Sequence, residues 1–330
     1  MKILIIHDSK IPVFKYGGIE RVIWGLGKAL NDLNHDVYFL VPKGSYCPFA
    51  KGVFEYNPEV NINSQIPEYI DVVHSEIYTK DAIQKPYLIN YQCNVNHPQT
   101  FDINTVFISH NQASRYHGSC VVYNGLDWND YNTPDLNNKR KYFHFLADAA
   151  WKVKNVNGAI AITRKAHEKL VVMGGKRLNF NMGFRLTPDL HVSFKGMVGG
   201  DEKFKHLQNS KGLIFPVLWH EPFGLAITES LYYGCPVFGT KYGSLPELIT
   251  NEVGVTSNSI NELAEGLRNV DSFSKKYCHE YAADNFNSMV MTQQYLLLYE
   301  KVMNGETLHQ QKPYFAQEDI SPVKRLPMTA

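Results

Sequence analysis

The sequence predicts an α/β protein built from two doubly wound, Rossmann-like units in tandem, and three observations carry that prediction. Short apolar, β-branched runs alternate with helical patterns along most of the chain, the signature of parallel strands joined by helical crossovers. A polar, Asn- and Asp-rich stretch with one proline, residues 124–141, breaks the alternation and reads as a linker. A length of 330 residues suits two ordinary domains better than one.

In the first half the strand candidates are residues 2–6, 36–41, 70–74, 87–92, 106–108 and 120–123. A helix after Gly18 sets Ile19, Val22, Ile23, Leu26, Ala29, Leu30 and Leu33 on one face. Past the linker, strands are expected over 142–146, 178–181, 192–194, 213–217 and 236–239, with helical patterns around 260–270 and 289–303. Beyond about Gly305 the chain has three prolines and no periodicity, which predicts an extended or disordered tail.

Bulk composition excludes several classes. Lys and Arg number 33 against 32 Asp and Glu, so a nucleic-acid partner is not expected. Cys47, Cys93, Cys120, Cys235 and Cys278 lie far apart without a CxxC pair. Neither a disulfide framework nor a zinc site is expected, and a reducing cytoplasm suits the chain. The first apolar run, residues 3–6, is too short for a signal-peptide core. No apolar run is long enough for a membrane-spanning helix, and peripheral membrane contact stays open.

The stretch richest in chemistry is residues 220–247, HEPFGLAITESLYYGCPVFGTKYGSLPE. Pro222 suits a helix start, and Gly224 lets a backbone approach a ligand closely. The helix is expected over 225–233, ending on Gly234 as a left-handed residue with Pro236 beyond. Its N-terminus, at Phe223, Gly224 and Leu225, follows a strand. A doubly wound sheet binds anions there, against free amides and a helix dipole. Glu221 precedes the helix, and Glu229 lies about 7 Å along its axis. Two carboxylates beside an anion repel it unless each accepts hydroxyls one sugar away. Taken alone, such a pair would be a capping charge and a solvated helix residue; the surrounding pattern favours the hydroxyl reading.

That pattern, E-P-F-G-L-x-x-x-E followed by E-S-L-x-x-G-x-P-V and G-S-L-P-E, resembles the E-x7-E region of family 4 glycosyltransferases, retaining enzymes with the GT-B fold. The resemblance implies two facing Rossmann-like domains with parallel sheets. Residues 1–135 would form the acceptor-side domain and 136–288 the nucleotide-sugar-binding domain, with a helix over 289–304 returning to the first and a tail over 305–330. It also implies that Glu221 bonds the donor sugar, Glu229 the ribose, and the amides near Gly224 and Leu225 the diphosphate. Tyr16-Gly17-Gly18-Ile19-Glu20-Arg21 looks like the family's GGxE loop, placing Gly17 and Gly18 near the donor phosphates and Glu20 toward the acceptor. Residues 122–127 resemble its hinge and 286–303 its last helix, extending the resemblance to about Asn304.

The family's basic pair, G-R-x5-K-G, is half present in residues 147–155, ADAAWKVKN. Lys154 stands in the lysine position, while Asp148 replaces the arginine and reverses its charge. Lys152 is a candidate to compensate. The family often has a histidine after the strand read here as 87–92; this chain has Gln92-Cys93-Asn94, with His97 nearby. His74, ending another strand, is expected to face the acceptor cleft. Gly25-x-Gly27 falls inside a helix and is no dinucleotide fingerprint. Asp127-Trp128-Asn129-Asp130 resembles the metal-binding motif of another transferase fold but falls in the linker, so no metal is expected.

The expected activity is retaining, metal-independent transfer of a hexose-type sugar from a nucleotide-diphosphate sugar to a hydroxyl acceptor, in surface polysaccharide or glycoconjugate synthesis. Glu221 and Lys154 are the expected catalytic residues, with no cofactor beyond the donor. The alternative, prompted by Asp148, is a non-catalytic nucleotide-sugar or glycan binding protein on the same fold.

Overall fold

The computed structural model describes residues 1–13, 17–316 and 325–329; Tyr16 of the glycine loop lies outside them. The chain divides into two compact units: Met1–Asp127 with the segment that returns at Phe286, and Trp128–Asn285 with residues 325–329. The crossings fall eight residues before the expected 135/136 and three before 288/289.

The first unit is a six-stranded parallel sheet of β1 (Lys2–Ile6), β2 (Asp36–Val41), β3 (Gly52–Glu55), β4 (Val72–Ser75), β5 (Tyr87–Tyr91) and β6 (Thr105–Phe107), in the order β3-β2-β1-β4-β5-β6. Ile3 to Ile6 are all buried, as a central parallel strand covered on both faces requires. Helix α1 (Gly18–Asp32) buries Val22, Ile23, Leu26, Ala29 and Leu30. Gly25 and Gly27 are packing glycines. A Cβ on Gly27 would stand 2.7 Å from Phe39, and one on Gly25 3.1 Å from Ser288.

The second unit repeats the plan. Its strands are β7 (Tyr142–Leu146), β8 (Leu170–Met173), β9 (Val192–Phe194), β10 (Ser210–Phe215), β11 (Val237–Gly239) and β12 (Gly254–Thr256), ordered β9-β8-β7-β10-β11-β12 and all parallel. Helix α2 (Val156–Ala166) packs Ala159, Ile160 and Ile162 into a core with Phe143, Phe145, Ile214 and Phe238. Helix α3 (Leu225–Tyr232) follows β10. Helix α4 (Ser288–Met303) belongs to the first unit. In both sheets the strand order reverses at the centre, between β1 and β4 and between β7 and β10. Ligands of doubly wound folds bind outside the carboxyl ends of strands at that point.

Several expected elements differ. Residues 120–123 form no strand but a single bridge, Phe107 to Val121. The run 178–181 is not in the sheet: Leu178–Asn179 pairs antiparallel with Arg185–Leu186 in a separate hairpin, and Leu170–Met173 takes the sheet position. Of the extended or disordered tail expected, the described residues are extended and held in place. Tyr314–Phe315 pairs with Gln99–Thr100, and Phe315 is buried against Phe101 and Tyr116. Leu326 N–H donates to Leu218 O and Thr329 N–H to Asn258 O, each at 2.8 Å. Prolines bar a helix there but leave neighbouring amides free to pair. Among the described residues no helix is long and apolar enough to cross a membrane, and no group of three or more His, Cys, Asp or Glu is placed to hold a metal ion.

Candidate functional site

The site of the second unit is assembled at its switch point from the loops after β7 and β10. Buried His144 on β7 ties the elements together, with Nδ1 2.6 Å from Ser210 Oγ on β10 and Nε2 2.9 Å from Ser230 Oγ on α3. Burial pushes its pKa down to about 3, with nearby Arg140 acting the same way. Helix α3 starts from Gly224 in a left-handed conformation, φ +93°, with no side-chain cap on its first amides. It ends in a Schellman motif: Gly234 N–H donates to Leu231 O and Cys235 N–H to Ser230 O, with Gly234 at φ +68°.

The loop before α3 is clamped by the G-S of G-S-L-P-E. Gly243 has φ +65°, and a Cβ there would lie 2.2 Å from Glu221 N and 2.3 Å from its O. Ser244 N–H donates to Glu221 O at 2.9 Å, and Ser244 Oγ to Phe223 O at 2.6 Å.

Lys154 and Glu221, far apart in sequence, meet here. Lys154 Nζ lies 2.8 Å from Glu221 Oε1 and 2.7 Å from Oε2, and Trp219 Nε1–H donates to Oε2 at 2.6 Å. The ammonium sits over three rings, 4.9 Å from Trp219 and 5.4 Å from both Trp151 and Phe215. The side chains are 12% and 7% exposed, so each charge depends on the other. Asn155, left-handed at φ +58°, caps α2 through Gly158 N–H and donates to Pro216 O, joining the two loops.

Other expected residues behave differently. Phe223 is buried. Glu229 is also buried, ion-paired with Lys203 and accepting from Tyr131 Oη at 2.8 Å. Lys203 lies 5.5 Å from the rings of Tyr131 and Phe204. Asp148 caps its own turn, accepting from Ala150 N–H at 2.9 Å, and its charge acts on Arg185. Lys152 is exposed beside Gly183 of the hairpin.

In the first unit, Gly17 caps α1 and accepts from Arg21 Nε at 2.9 Å, with Gly18 and Glu20 in the first turn. His74 is not the cleft-facing residue expected. It is fully buried, with Nδ1 2.7 Å from Tyr299 Oη and Nε2 3.0 Å from Glu76 Oε1, so it fastens α4 to β4. Gln92 exchanges two amide hydrogen bonds with Asn124. His97 is exposed and contacts Asn96.

The sequence reading missed two residues at this sheet's switch point. His7 follows β1 with both ring nitrogens buried and, among the described residues, lacking hydrogen-bond partners, though Nδ1 is 3.8 Å from Asp8 Oδ1. Glu76 follows β4 and leaves Oε2 in the same state. For His7 the available signal was a polar residue directly after an apolar central strand; Glu76 follows Val72-Val73-His74-Ser75, which gives no such mark.

With this geometry in hand, comparison with solved structures is decisive for the fold. The chain matches AviGT4, described as a glycosyltransferase involved in Avilamycin A biosynthesis, with a TM-score of 0.74 and 18% identity over 93% of this chain and 99% of that one. Anabaena Alr3699/HepE, solved in complex with UDP and glucose, gives 0.60 and 16% over 91% and 99%. The fold is GT-B. Residues 128–282 match the family model of group 1 glycosyl transferases. That part of the GT-B chain carries Lys154, Glu221 and Glu229, and the match supports glycosyltransferase as its enzyme class. An uncharacterized 41.2 kDa protein in the cps region of Klebsiella pneumoniae is 29% identical over 119 residues, 33% of this chain. The match spans 32% of that relative's length.

Proposed function

We propose that the chain is a retaining, metal-independent glycosyltransferase moving a hexose-type sugar from a nucleotide-diphosphate sugar to a hydroxyl acceptor. The Lys154–Glu221 pair carries this reading, because it stands at a switch point beside a helix N-terminus without a side-chain cap. A donor phosphate takes over the Lys154 ammonium, the first amides of α3 bind the remaining phosphate oxygens, and Glu221 is released to accept sugar hydroxyls. Charge developing on the leaving diphosphate thus meets a preformed cation and a helix dipole. Attack from the face of the leaving group, with the departing phosphate taking the acceptor's proton, retains the anomeric configuration.

Glu229 reaches the ribose by sharing its contacts with Tyr131 and Lys203. The acceptor is assigned to the first unit, where the His7 ring nitrogens and Glu76 Oε2 have no hydrogen-bond partner among the described residues, with Glu20, Gln92 and His97 as secondary candidates. Surface polysaccharide or glycoconjugate synthesis, in the cytoplasm, is the setting this reading implies.

The test is release of nucleotide diphosphate from a panel of nucleotide sugars, with and without hydroxyl acceptors, in EDTA. Turnover should persist and the product should keep the donor's anomeric configuration. Loss in EDTA reversed by a divalent ion contradicts metal independence, and an inverted product contradicts retention. Donor affinity without turnover identifies a binding protein instead.

A further inference from the structure

The hairpin between β8 and β9 is built inside out. Its register pairs Leu178 with Leu186 and Asn179 with Arg185. Side chains alternate across a strand, so Leu178, Phe180, Phe184 and Leu186 share one face and Asn179 and Arg185 the other. The apolar face is the exposed one: Phe180 is 72% exposed, Phe184 71%, and Leu178 and Leu186 about half. Met182 at the tip is 60% exposed and Leu190, beyond the hairpin, 98%.

The polar face is the one fastened down. Arg185 donates to Ala149 O at 2.6 Å and to Lys176 O at 2.9 Å, and its guanidinium lies 5.4 Å from the Phe194 ring. Arg177 locks the base through Thr187 O, Asp189 O and Val192 O. Phe180 and Phe184 face one another with ring centroids 5.8 Å apart. A hairpin anchored by its polar face and presenting paired aromatics to water has the form of a contact surface.

Charge selects the partner. Lys176 just before the hairpin and Lys195 just after β9 are exposed, while the one acid between them, Asp189, is ion-paired with Arg164. Two copies meeting face to face would oppose like-charged rims. An anionic bilayer instead takes the aromatic tip into its interface and the lysines onto its headgroups. We infer that this hairpin docks the second unit on an anionic membrane surface. The inference holds whether or not the site at Glu221 turns over.

The experiment is co-sedimentation of the full chain with vesicles of equimolar phosphatidylcholine and phosphatidylglycerol, and with phosphatidylcholine alone. Binding should favour the anionic vesicles and weaken with salt. Phe180→Ser with Phe184→Ser should lower partitioning at least about tenfold. Thermal unfolding and nucleotide affinity should stay unchanged in that variant, and Lys176→Gln with Lys195→Gln should abolish the preference for anionic vesicles. Equal partitioning of the wild type and the serine variant would overturn the inference. So would a concentration-dependent dimer of the wild type that the serine variant loses, which would make a second copy the occupant.

Discussion

Lys154 Nζ bridges both carboxylate oxygens of Glu221, at 2.8 and 2.7 Å, inside a cage of Trp151, Phe215 and Trp219. Removing one partner strands the other, at about 3–5 kcal/mol for a fully buried pair and less for one with some exposure. Lys154→Met should lower stability measurably and cut turnover at least about 100-fold. The double variant Lys154→Met, Glu221→Leu should regain stability but not activity. Denaturant titration alongside a nucleotide-release assay checks both. An active Lys154→Met enzyme would place the phosphates elsewhere.

Glu229 belongs to a second buried ion pair: it neutralises Lys203 and accepts from Tyr131 Oη. Glu229→Ala should cost about 3–5 kcal/mol of stability, and Tyr131→Phe about 1.5–3 kcal/mol. If Glu229 also meets the ribose, Glu229→Gln should weaken nucleotide diphosphate binding about tenfold in protein that remains folded. Unchanged affinity by calorimetry would leave Glu229 a purely structural residue.

Gly243 holds the Glu221 loop by having no side chain. Gly243→Ala meets Glu221 N at 2.2 Å and a left-handed φ of +65°, so it should lose more than the 1–2 kcal/mol, roughly, of backbone strain alone. Turnover should fall with it. Gly200→Ala is the control: φ is +52° with nothing within 4 Å, so only the backbone cost should appear and turnover should persist. Equal effects of the two substitutions in both assays would contradict the clamp.

His144 gives the native state a pH limit. Burial disfavours the charged ring and pushes its folded pKa from the ordinary 6.5 down to about 3. A depressed folded pKa means stability is complete above about 6.5 and declines as pH falls, because the unfolded chain takes up a proton that the folded chain refuses. The slope is about 1.4 kcal/mol per pH unit. Denaturant midpoints of the wild type and His144→Asn should therefore converge between about pH 6 and pH 4. Parallel curves would show that His144 is not held neutral.

The legible parts of the fold were runs whose burial is written locally. Lys2–Ile6 and Tyr142–Leu146 read as strands because central parallel strands are mostly apolar runs, broken here only by Lys2 and His144. Gly52–Glu55, half exposed at a sheet edge, and three-residue Gly254–Thr256 carry too little pattern. The hairpin misled because its exposed apolar residues mimic a core strand. In the site, Glu221, Gly224 and Lys154 were legible through their motif register. Lys203 and Tyr131 were not, since they reach Glu229 across 26 and 98 residues of sequence. His74 shows the same limit, because its place at a strand end does not reveal that Tyr299 of α4 packs against it.

The most direct test compares the wild type with Glu221→Gln, measuring nucleotide diphosphate affinity and sugar transfer on the same preparation. Both should bind the nucleotide diphosphate with similar affinity. Transfer from the nucleotide sugar should fall at least about 100-fold in Glu221→Gln. A Glu221→Gln protein that transfers at the wild-type rate, or a wild type that binds no nucleotide diphosphate, would contradict the proposed function.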